Sequence, residues 1–356
     1  MAAVGGNRQV SVALPTPGEL AAEVPVTSRI QELVSRSRAE TRAVLDGADD
    51  RLLVVVGPCS VHDERATLEY AERLAGLQAE LDRDLLVVMR VYLEKPRTIG
   101  GWPGLLLDPN LDGSYAVADG LLRARTVLRD VAARGLPTAV EWLSPVSPAY
   151  LDDLVSWAAI GARTVESHVH RQLASGLDMP IGMKNATDGS VGVAIDAIRS
   201  AALPHGYLLV DDDGRPAAVR TSGNPDCHLV LRGGKNATNY DALSVDHAGD
   251  QLEAAGLPRR VVIDASHGNS GKDHHRQFDV LSEISQQLAH GSTDIRGVLA
   301  ESFLVPGRQD LPVVPGQSIT DACMGWPATA EALRTLAAAV RVRRVTMRQE
   351  PLLAGA

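Results

Sequence analysis

The sequence predicts an α/β protein built as a closed (β/α)8 barrel, the TIM-barrel architecture. Eight short apolar runs punctuate the chain, and each ends at, or within a few residues of, a charged or metal-ligating side chain. Between most of the runs lies enough chain for a helix. Because functional side chains of such barrels lie at the carboxyl ends of the strands, the pattern also predicts one shared site. In chain order, the side chains that follow the runs are Cys59, Arg90, Glu141, Arg163, Lys184, Arg232, His267 and Glu301.

An extension precedes the barrel. Residues 1–27 contain Pro and Gly and are expected to form an arm. Thr27 and Ser28 can cap a helix that runs to about Leu45, with apolar residues along one side. The Asp-Gly-Ala-Asp segment that follows is expected to end this helix. The predicted units are 1–50 for the arm and its helix, 51–346 for the catalytic barrel and 347–356 for a C-terminal tail.

The alternation of strands and helices can be placed along the chain. Strands are predicted at about 52–56, 85–91, 138–142, 159–163, 180–184, 228–232, 260–264 and 296–300. Helices are predicted at about 64–79, 116–134, 167–175, 190–202 and 327–346, with another that begins at Ser147. The loop from Glu94 to Asp112 is long, and such a loop inside a compact domain is usually functional. At 206–222, YLLV and AAVR flank Asp-Asp-Asp-Gly-Arg, which predicts a β-hairpin inserted before strand six.

Composition limits the kind of protein. With 356 residues and 45% apolar content, the chain can fill the core of one barrel with additions. The absence of any run of about 18 apolar residues argues against a membrane span, and the N-terminus does not have the pattern of a secretory signal. Three cysteines are too few for a disulfide framework and favour a reducing cytoplasm. A net charge of −9 argues against general nucleic-acid binding.

Cys59, His267 and Glu301 are candidate metal ligands. A thiolate, an imidazole and a carboxylate together suit a borderline divalent ion better than magnesium. Asp321, just past strand eight, is a fourth candidate. Such a set leaves room for a water molecule or a substrate carbonyl, as a Lewis-acid site requires. The spacing alone also fits a buried Cys and a strand-end His in ordinary hydrogen bonds.

Four of the strand-end side chains are cations, and their convergence predicts an anion site. Crowded positive charge is costly without a partner, so a substrate with several negative charges is implied. Arginine binds phosphate and carboxylate oxygens in pairs. The alternative is a set of structural salt bridges with nearby acidic residues. The four cations are Arg90, Arg163, Lys184 and Arg232.

Two further cations, Lys95 and Arg97, lie on the long loop. They are candidates for a second anion site, or else form a solvated pair of loop charges. Lys95 is one of only four lysines among 35 basic residues, and lysine supplies a compact, titratable charge that arginine does not. Glu141 can orient a water molecule or a lysine, or it can serve as a salt-bridge partner.

Several long segments of the chain resemble type I 3-deoxy-D-arabino-heptulosonate 7-phosphate (DAHP) synthases. The resemblance runs from about residue 25 to 345. It implies a barrel with an N-terminal extension and an extra hairpin. It also implies the condensation of phosphoenolpyruvate (PEP) with erythrose 4-phosphate, the first step of the shikimate pathway to chorismate and the aromatic amino acids. The segments are GPCSVHD, MRVYLEKPRT, EWLSP, SWAAIGARTVESHVHRQLASGLDMPIGMKNATDGS, TSGNPDCHLVLRGG, IDASHGNSGKDHHRQ and SITDACMGW.

The resemblance assigns roles to residues of this chain. It implies a divalent metal, Mn²⁺, Fe²⁺, Co²⁺ or Zn²⁺, that polarises the sugar aldehyde while C3 of PEP attacks. It implies that Lys95 donates a proton to the developing alkoxide and that Glu141 lies near the PEP double bond. The metal ligands it implies are Cys59, His267, Glu301 and Asp321. The implied contacts are Arg163 and Arg232 for the PEP phosphate, Arg90 and Lys184 for its carboxylate side, and Arg97 and Thr98 for the sugar phosphate.

The chain departs from the family pattern without losing a proposed ligand. Pro103, Phe303 and Ala186 stand where the family usually has Lys, His and Gly. Feedback inhibition by an aromatic amino acid is common in the family. Its pocket uses the arm, the hairpin and the segment after strand three. Ser144 stands there where an acidic residue is frequent, so weak or no inhibition is expected.

Two rival functions remain open from the sequence. One is a synthase that joins PEP to another aldose phosphate, such as arabinose 5-phosphate, although the Lys-Pro-Arg-Thr loop favours the four-carbon sugar. The other is a non-catalytic barrel that acts as a regulatory or binding subunit. The intact set of metal ligands argues against the second. The resemblance also leads us to expect a homodimer or homotetramer in the cytoplasm.

Overall fold

The computed structural model describes residues 12–353, with side chains to Arg348. The first eleven residues of the expected arm and the last three of the expected tail lie outside the described residues. The strands are β1 (Leu52–Gly57), β2 (Leu85–Arg90), β3 (Thr138–Glu141), β4 (Trp157–Ile160), β5 (Ile181–Lys184), β6 (Gly206–Val210), β7 (Pro216–Arg220), β8 (Cys227–Leu231), β9 (Val261–Asp264), β10 (Ile295–Glu301), β11 (Val305–Arg308) and β12 (Gln317–Ser318).

Helices follow most of these strands. They are α1 (Pro17–Glu23), α2 (Ser28–Asp46), α3 (Glu64–Leu81), α4 (Val117–Ala133), α5 (Pro148–Leu151), α6 (His168–Gly176), α7 (Gly192–Ala201), α8 (Ala242–Ala254), α9 (His267–Ser270), α10 (Arg276–Ala289) and α11 (Trp326–Leu353). A 3-10 turn at Asp152–Leu154 continues α5.

Eight parallel strands close into a barrel in the order β1-β10-β9-β8-β5-β4-β3-β2. The predicted barrel and the predicted hairpin, β6–β7, are therefore confirmed. The strands are buried on both faces, which explains why they read as continuous apolar runs. Inward residues such as Leu53, Val55 and Val230 fill the interior, while Leu52, Val54 and Val56 pack outward against the helices.

A buried histidine helps to close the amino-terminal end of the barrel. The indole nitrogen of Trp157, at the start of β4, donates a hydrogen bond to Nε2 of His228 in β8 (3.2 Å). Burial lowers the pKa of His228 to about 4, so the ring is neutral and accepts this bond. The other end of the barrel is left for the cavity described below.

The expected arm contains a helix that the prediction omitted. Thr16 caps α1 in a capping box with Glu19, with Pro17 as the first helical residue. A Thr followed three residues later by a Glu is a sequence signal for the start of a helix, so α1 could have been predicted from the sequence. The Gly18 N–H donates to the carbonyl of Asp212 (2.9 Å), and this bond joins α1 to the tip of the hairpin.

Two predicted boundaries are wrong. Strand four was expected at 159–163, but β4 ends at Ile160 because Gly161 starts a turn, with its carbonyl accepting bonds from Thr164 and Val165. Arg163 therefore lies in this turn. The final helix was expected to stop at 346, but α11 continues to Leu353 through the predicted tail.

Candidate active site

A cavity of about 340 Å³ opens at the carboxyl ends of the strands. Nine of the twelve predicted site residues line it. The other three, Cys59, Arg90 and Glu301, are buried: Cys59 and Glu301 touch residues of the cavity lining, and Arg90 bonds to Glu301. The structure thus brings all twelve into one region. The nine that line the cavity are Lys95, Arg97, Thr98, Glu141, Arg163, Lys184, Arg232, His267 and Asp321.

Three of the four predicted metal ligands form a tight cluster. The donor atoms of Cys59, Glu301 and Asp321 all lie within 4.8 Å of one another. The fourth, His267, points Nε2 toward the cluster from 3.9 Å, measured to Oε1 of Glu301. A thiolate, two carboxylates and an imidazole that converge in this way fit a borderline divalent cation.

A cation faces each of the anionic donors. Lys95 Nζ lies 3.2 Å from Cys59 Sγ, Arg90 lies 2.8 Å from a Glu301 oxygen and Lys272 lies 3.2 Å from an Asp321 oxygen. Burial and the charge of Glu301 raise the pKa of Cys59, and Lys95 and Arg90 oppose the shift. The thiolate that a metal requires is therefore favoured only by nearby positive charge.

Asp264, at the end of β9, orients two of the predicted site residues. One of its oxygens lies 3.0 Å from His267 Nδ1 and also 3.0 Å from Lys184 Nζ. Burial opposes its charge, but His267 and Lys184 outweigh burial and hold the pKa of Asp264 well below its usual range. The contact favours a proton on Nδ1 and leaves Nε2 free to bind a metal, an arrangement typical of metal-ligating histidines.

The backbone of His267 adopts φ +56°, an uncommon conformation for a residue with a side chain. Such strain persists where the surroundings fix it, and it is common at functional sites. Asp264 was not among the predicted site residues. Its signal was a carboxylate that ends a strand three residues before a predicted ligand.

Three asparagines, Asn185, Asn239 and Asn269, join the ends of β5, β8 and β9. We call them the asparagine clamp. Asn185 Oδ1 accepts the Arg232 backbone N–H (2.7 Å) and an amide hydrogen of Asn239 (3.2 Å). Asn269 donates to the carbonyls of Leu231 (3.3 Å) and Asp264 (2.9 Å) and accepts the Asn239 N–H (2.9 Å). Sequence reasoning missed all three, because amides in loops carry no distinctive pattern.

The four predicted strand-end cations fall into two groups. Arg90 pairs with Glu301, and Lys184 pairs with Asp264, so the structural salt-bridge alternative describes their contacts. Within residues 12–348, Arg163 and Arg232 form no ion pair. Burial and the nearby charge of Arg163 lower the pKa of Arg232, and Asp264 opposes this shift. Two neighbouring cations without an acidic partner are typical of an anion site.

Arg90 is 1% exposed and stacks on Tyr92, with its guanidinium carbon 3.5 Å from the ring centre. It donates to the carbonyls of Pro58 (3.1 Å) and Cys59 (3.3 Å). One guanidinium nitrogen, NH1, is buried without a partner among the described residues. A buried donor of this kind is costly unless a ligand satisfies it.

The long loop is the exposed side of the site. Lys95 and Pro96 are half-buried, whereas Arg97, Thr98 and Ile99 are exposed. The Arg97 side chain donates only a 3.3 Å bond, to the carbonyl of Gly100, among the contacts of the described chain. Arg163 reaches this loop and donates to the Pro96 carbonyl (3.0 Å).

Glu141, at the end of β3, lies close to the backbone of Gly161. A Cβ atom added at Gly161 would lie 2.2 Å from its carboxylate oxygen, so a larger residue there would displace the Glu141 side chain. The fold and these groups define a class of protein: a (β/α)8 barrel enzyme with a metal-binding cluster beside an anion pocket.

Comparison with known proteins gives the family. The sequence model of the DAHP synthetase I family matches residues 27–334, and the chain belongs to this family. It is 51% identical over 341 residues to the Phe-sensitive phospho-2-dehydro-3-deoxyheptonate aldolase of Escherichia coli (strain K12), covering 95% of this chain and 97% of the relative. The phospho-2-dehydro-3-deoxyheptonate aldolase of Corynebacterium glutamicum is 50% identical over 342 residues, covering 93% of each chain.

A solved structure agrees with this assignment. The phospho-2-dehydro-3-deoxyheptonate aldolase of Francisella tularensis SCHU S4 superposes with a TM-score of 0.93 at 46% identity, covering 95% of this chain and 99% of that chain. The family, the barrel, the enzyme class and the DAHP-forming condensation expected from the sequence are therefore confirmed. Among the described residues, no helix is both long and apolar enough to span a membrane.

Proposed function

We propose that the cavity binds PEP on the side of Arg163, Arg232 and Lys184 and binds erythrose 4-phosphate on the side of the long loop. The observation that carries this assignment is the pair of arginines that form no ion pair with any acidic residue among 12–348, while the other two strand-end cations have such a partner. A phosphate supplies the missing charge and accepts paired hydrogen bonds from each guanidinium. Lys184 and the free donor of Arg90 are then left for the PEP carboxylate.

The metal site we propose consists of Cys59, His267, Glu301 and Asp321. Its donor set fits manganese, iron, cobalt or zinc better than magnesium. A divalent ion bound there supplies Lewis acidity for the aldehyde oxygen of the sugar. Asp264 holds the imidazole of His267 toward the site, and Arg90 holds the carboxylate of Glu301.

Lys95 and Glu141 are the proposed acid–base groups. Lys95 Nζ donates to the Cys59 carbonyl (3.1 Å), which places its ammonium at the edge of the metal cluster. It can give a proton to the alkoxide that forms from the aldehyde. Glu141, at the end of β3, can orient the water that adds to C2 of PEP. Arg97 and Thr98 are proposed to bind the sugar phosphate.

Phosphate release tests the substrate assignment. The metal-loaded enzyme should release phosphate from PEP with erythrose 4-phosphate and much less with arabinose 5-phosphate. Arg232→Ala should raise KM for PEP, and Arg97→Ala should raise KM for the sugar. If each substitution changes KM for the other substrate instead, the two anion sites are reversed.

We also propose a cytoplasmic homo-oligomer, either a dimer or a tetramer. Two large apolar side chains support an interface at the hairpin: Leu203 is 60% exposed and Leu208 is 82% exposed. Apolar groups at a shared surface gain free energy when a second copy covers them. Sedimentation equilibrium at micromolar concentration should give two or four chains, and a monomer at that concentration contradicts the proposal.

A further inference from the structure

Three consecutive metal-ligating residues, Asp273, His274 and His275, lie outside the cavity. They occupy the turn between α9 and α10. Each offers one donor atom, and these atoms all lie within 4.8 Å of one another. No residue of this trio lines the cavity, and the proposed reaction uses none of them.

Contacts within the turn hold the three side chains in place. One Asp273 oxygen accepts the His275 backbone N–H (2.9 Å) and lies 4.0 Å from His274 Nδ1. The two imidazole rings stack, with centroids 4.0 Å apart and planes inclined by 38°. The His274 side chain is 19% exposed and lies near Gly307, so its ring is partly fixed by the fold.

We infer that Asp273, His274 and His275 form a second divalent-metal site, separate from the barrel site. Two imidazoles and one carboxylate select zinc, cobalt, nickel or copper over magnesium or calcium. The donors are already within reach of one ion, so binding requires only small side-chain shifts. The exposed side of the turn leaves room for water to complete the coordination.

The position of this site links it to the active-site wall. Lys272, the residue before the trio, bonds to Asp321 of the proposed barrel site. Gly307, beside His274, exchanges two backbone hydrogen bonds with Cys323, at 2.9 and 3.1 Å. An ion bound in the turn would therefore restrict the motion of the segment that carries Asp321. Binding of this ion does not depend on the reaction in the barrel.

Cobalt binding to the untagged, full-length chain tests the inference. Stoichiometry is measured by elemental analysis after equilibrium dialysis, and the absorption spectrum is recorded in parallel. Wild type should bind two ions per chain. Only the barrel site contains a thiolate, so thiolate-to-cobalt charge transfer should follow that ion alone.

Variants separate the two sites. His274→Ala combined with His275→Ala should bind one ion and keep the charge-transfer band. Cys59→Ala should lose the band and keep the ion in the turn. His247→Ala, which removes an exposed histidine on α8, should behave as wild type. Both histidines of the turn are partly or fully exposed, and an unchanged circular dichroism spectrum checks the fold of the double variant.

One ion per chain in the wild type, with a charge-transfer band, overturns the inference. Two ions per chain in the double variant also overturn it, since the second ion then lies elsewhere. These results do not depend on activity, so they remain readable even if the proposed substrate contacts are wrong.

Discussion

The two sides of the cavity are built differently. On the proposed PEP side, Lys184 is 3% exposed and pairs with Asp264, and the backbone of Arg232 is held by the asparagine clamp. On the proposed sugar side, Arg97 and Thr98 are exposed on a loop, and Ile99, which follows them, is exposed as well. One side is fixed by buried hydrogen bonds, whereas the other has few contacts that hold it.

This difference has a consequence for binding. A preorganised site loses little conformational entropy when its ligand arrives, whereas an exposed loop must be ordered by its ligand. We therefore expect the PEP side to be formed before any substrate binds. The sugar side should become ordered only when erythrose 4-phosphate binds. Substitutions on the first side should cost more than equivalent substitutions on the second.

The largest effect is expected where the two sides meet, at the metal cluster. Exhaustive chelation should abolish turnover, since the proposed site supplies the Lewis acid, and Mn²⁺ or Co²⁺ should restore it. Cys59→Ser should weaken metal affinity, because a thiolate is lost. Initial rates of phosphate release, measured as a function of free metal concentration, give both the metal dependence of turnover and the metal affinity of Cys59→Ser. Full activity after chelation contradicts the proposed site.

Lys95→Met should lower kcat by about 10²–10⁴-fold, as expected for loss of a proton donor. KM for PEP should change little, because Lys95 contacts Cys59 and not the arginines of the phosphate site. Steady-state kinetics with saturating metal separate the two parameters. An increase in KM for PEP at unchanged kcat would place Lys95 in binding rather than chemistry.

Arg232→Ala and Asn185→Ala test the fixed side. A hydrogen bond to a charged group contributes about 1.5–3 kcal/mol, so Arg232→Ala should raise KM for PEP about 10- to 100-fold. Asn185→Ala should raise the same constant by a smaller factor, because it releases the backbone of Arg232 without removing its charge. KM for the sugar should stay near that of wild type. An equal rise in both constants from Asn185→Ala would show that the asparagine clamp does not act on the PEP side alone.

Arg97→Ala tests the open side. Exposed ion pairs contribute about 0.2–1 kcal/mol, so KM for erythrose 4-phosphate should rise by about fivefold at most. The effect should shrink as salt increases, because solvent ions screen an exposed charge. Titrations of the sugar at two ionic strengths provide the measurement. If Arg97→Ala raised KM for erythrose 4-phosphate by a larger factor than Arg232→Ala raises KM for PEP, the sugar side would be the more rigid of the two sides.

The smallest effect is expected from phenylalanine, tyrosine and tryptophan. Ser144 offers no charge to an amino-acid ammonium, so inhibition of the wild type at micromolar concentrations should be negligible. The hydroxyl of Ser147 donates a hydrogen bond to Glu94, next to Lys95 (3.0 Å). A ligand bound near Ser144 would therefore affect the long loop before the other parts of the site. Rates of phosphate release with and without each amino acid measure the inhibition. Strong inhibition would show that another acidic residue binds the ammonium.

The sequence predicts the barrel strands and the site residues that follow them better than it predicts the residues that hold those site residues in place. The eight strands stand out because they are buried on both faces, and the cations and metal ligands follow them directly. The strand-four boundary was missed because apolar content continues past Ile160 into a turn that only the Gly161 backbone determines. Lys184 and Arg90 were predicted to be site cations, but their pairing with Asp264 and Glu301 depends on strands distant in sequence.

The asparagine clamp and the strands β11 and β12 were not predicted. The clamp consists of amides bonded to backbone groups of three different loops, and such bonds have no sequence period. The short strands β11 and β12 carry the segment of Asp321, and a pair of two to four residues falls below what apolar alternation can indicate.

Amide hydrogen exchange tests the difference between the two sides most directly. In the ligand-free enzyme, amides of Asn185, Arg232 and Asn239 should exchange slowly, while those of 97–101 exchange quickly. Adding metal and PEP should leave the loop fast, and adding a non-reacting analogue of erythrose 4-phosphate should then slow it. Fast exchange throughout the asparagine clamp before any ligand is added, or a loop already protected at that stage, would contradict this account.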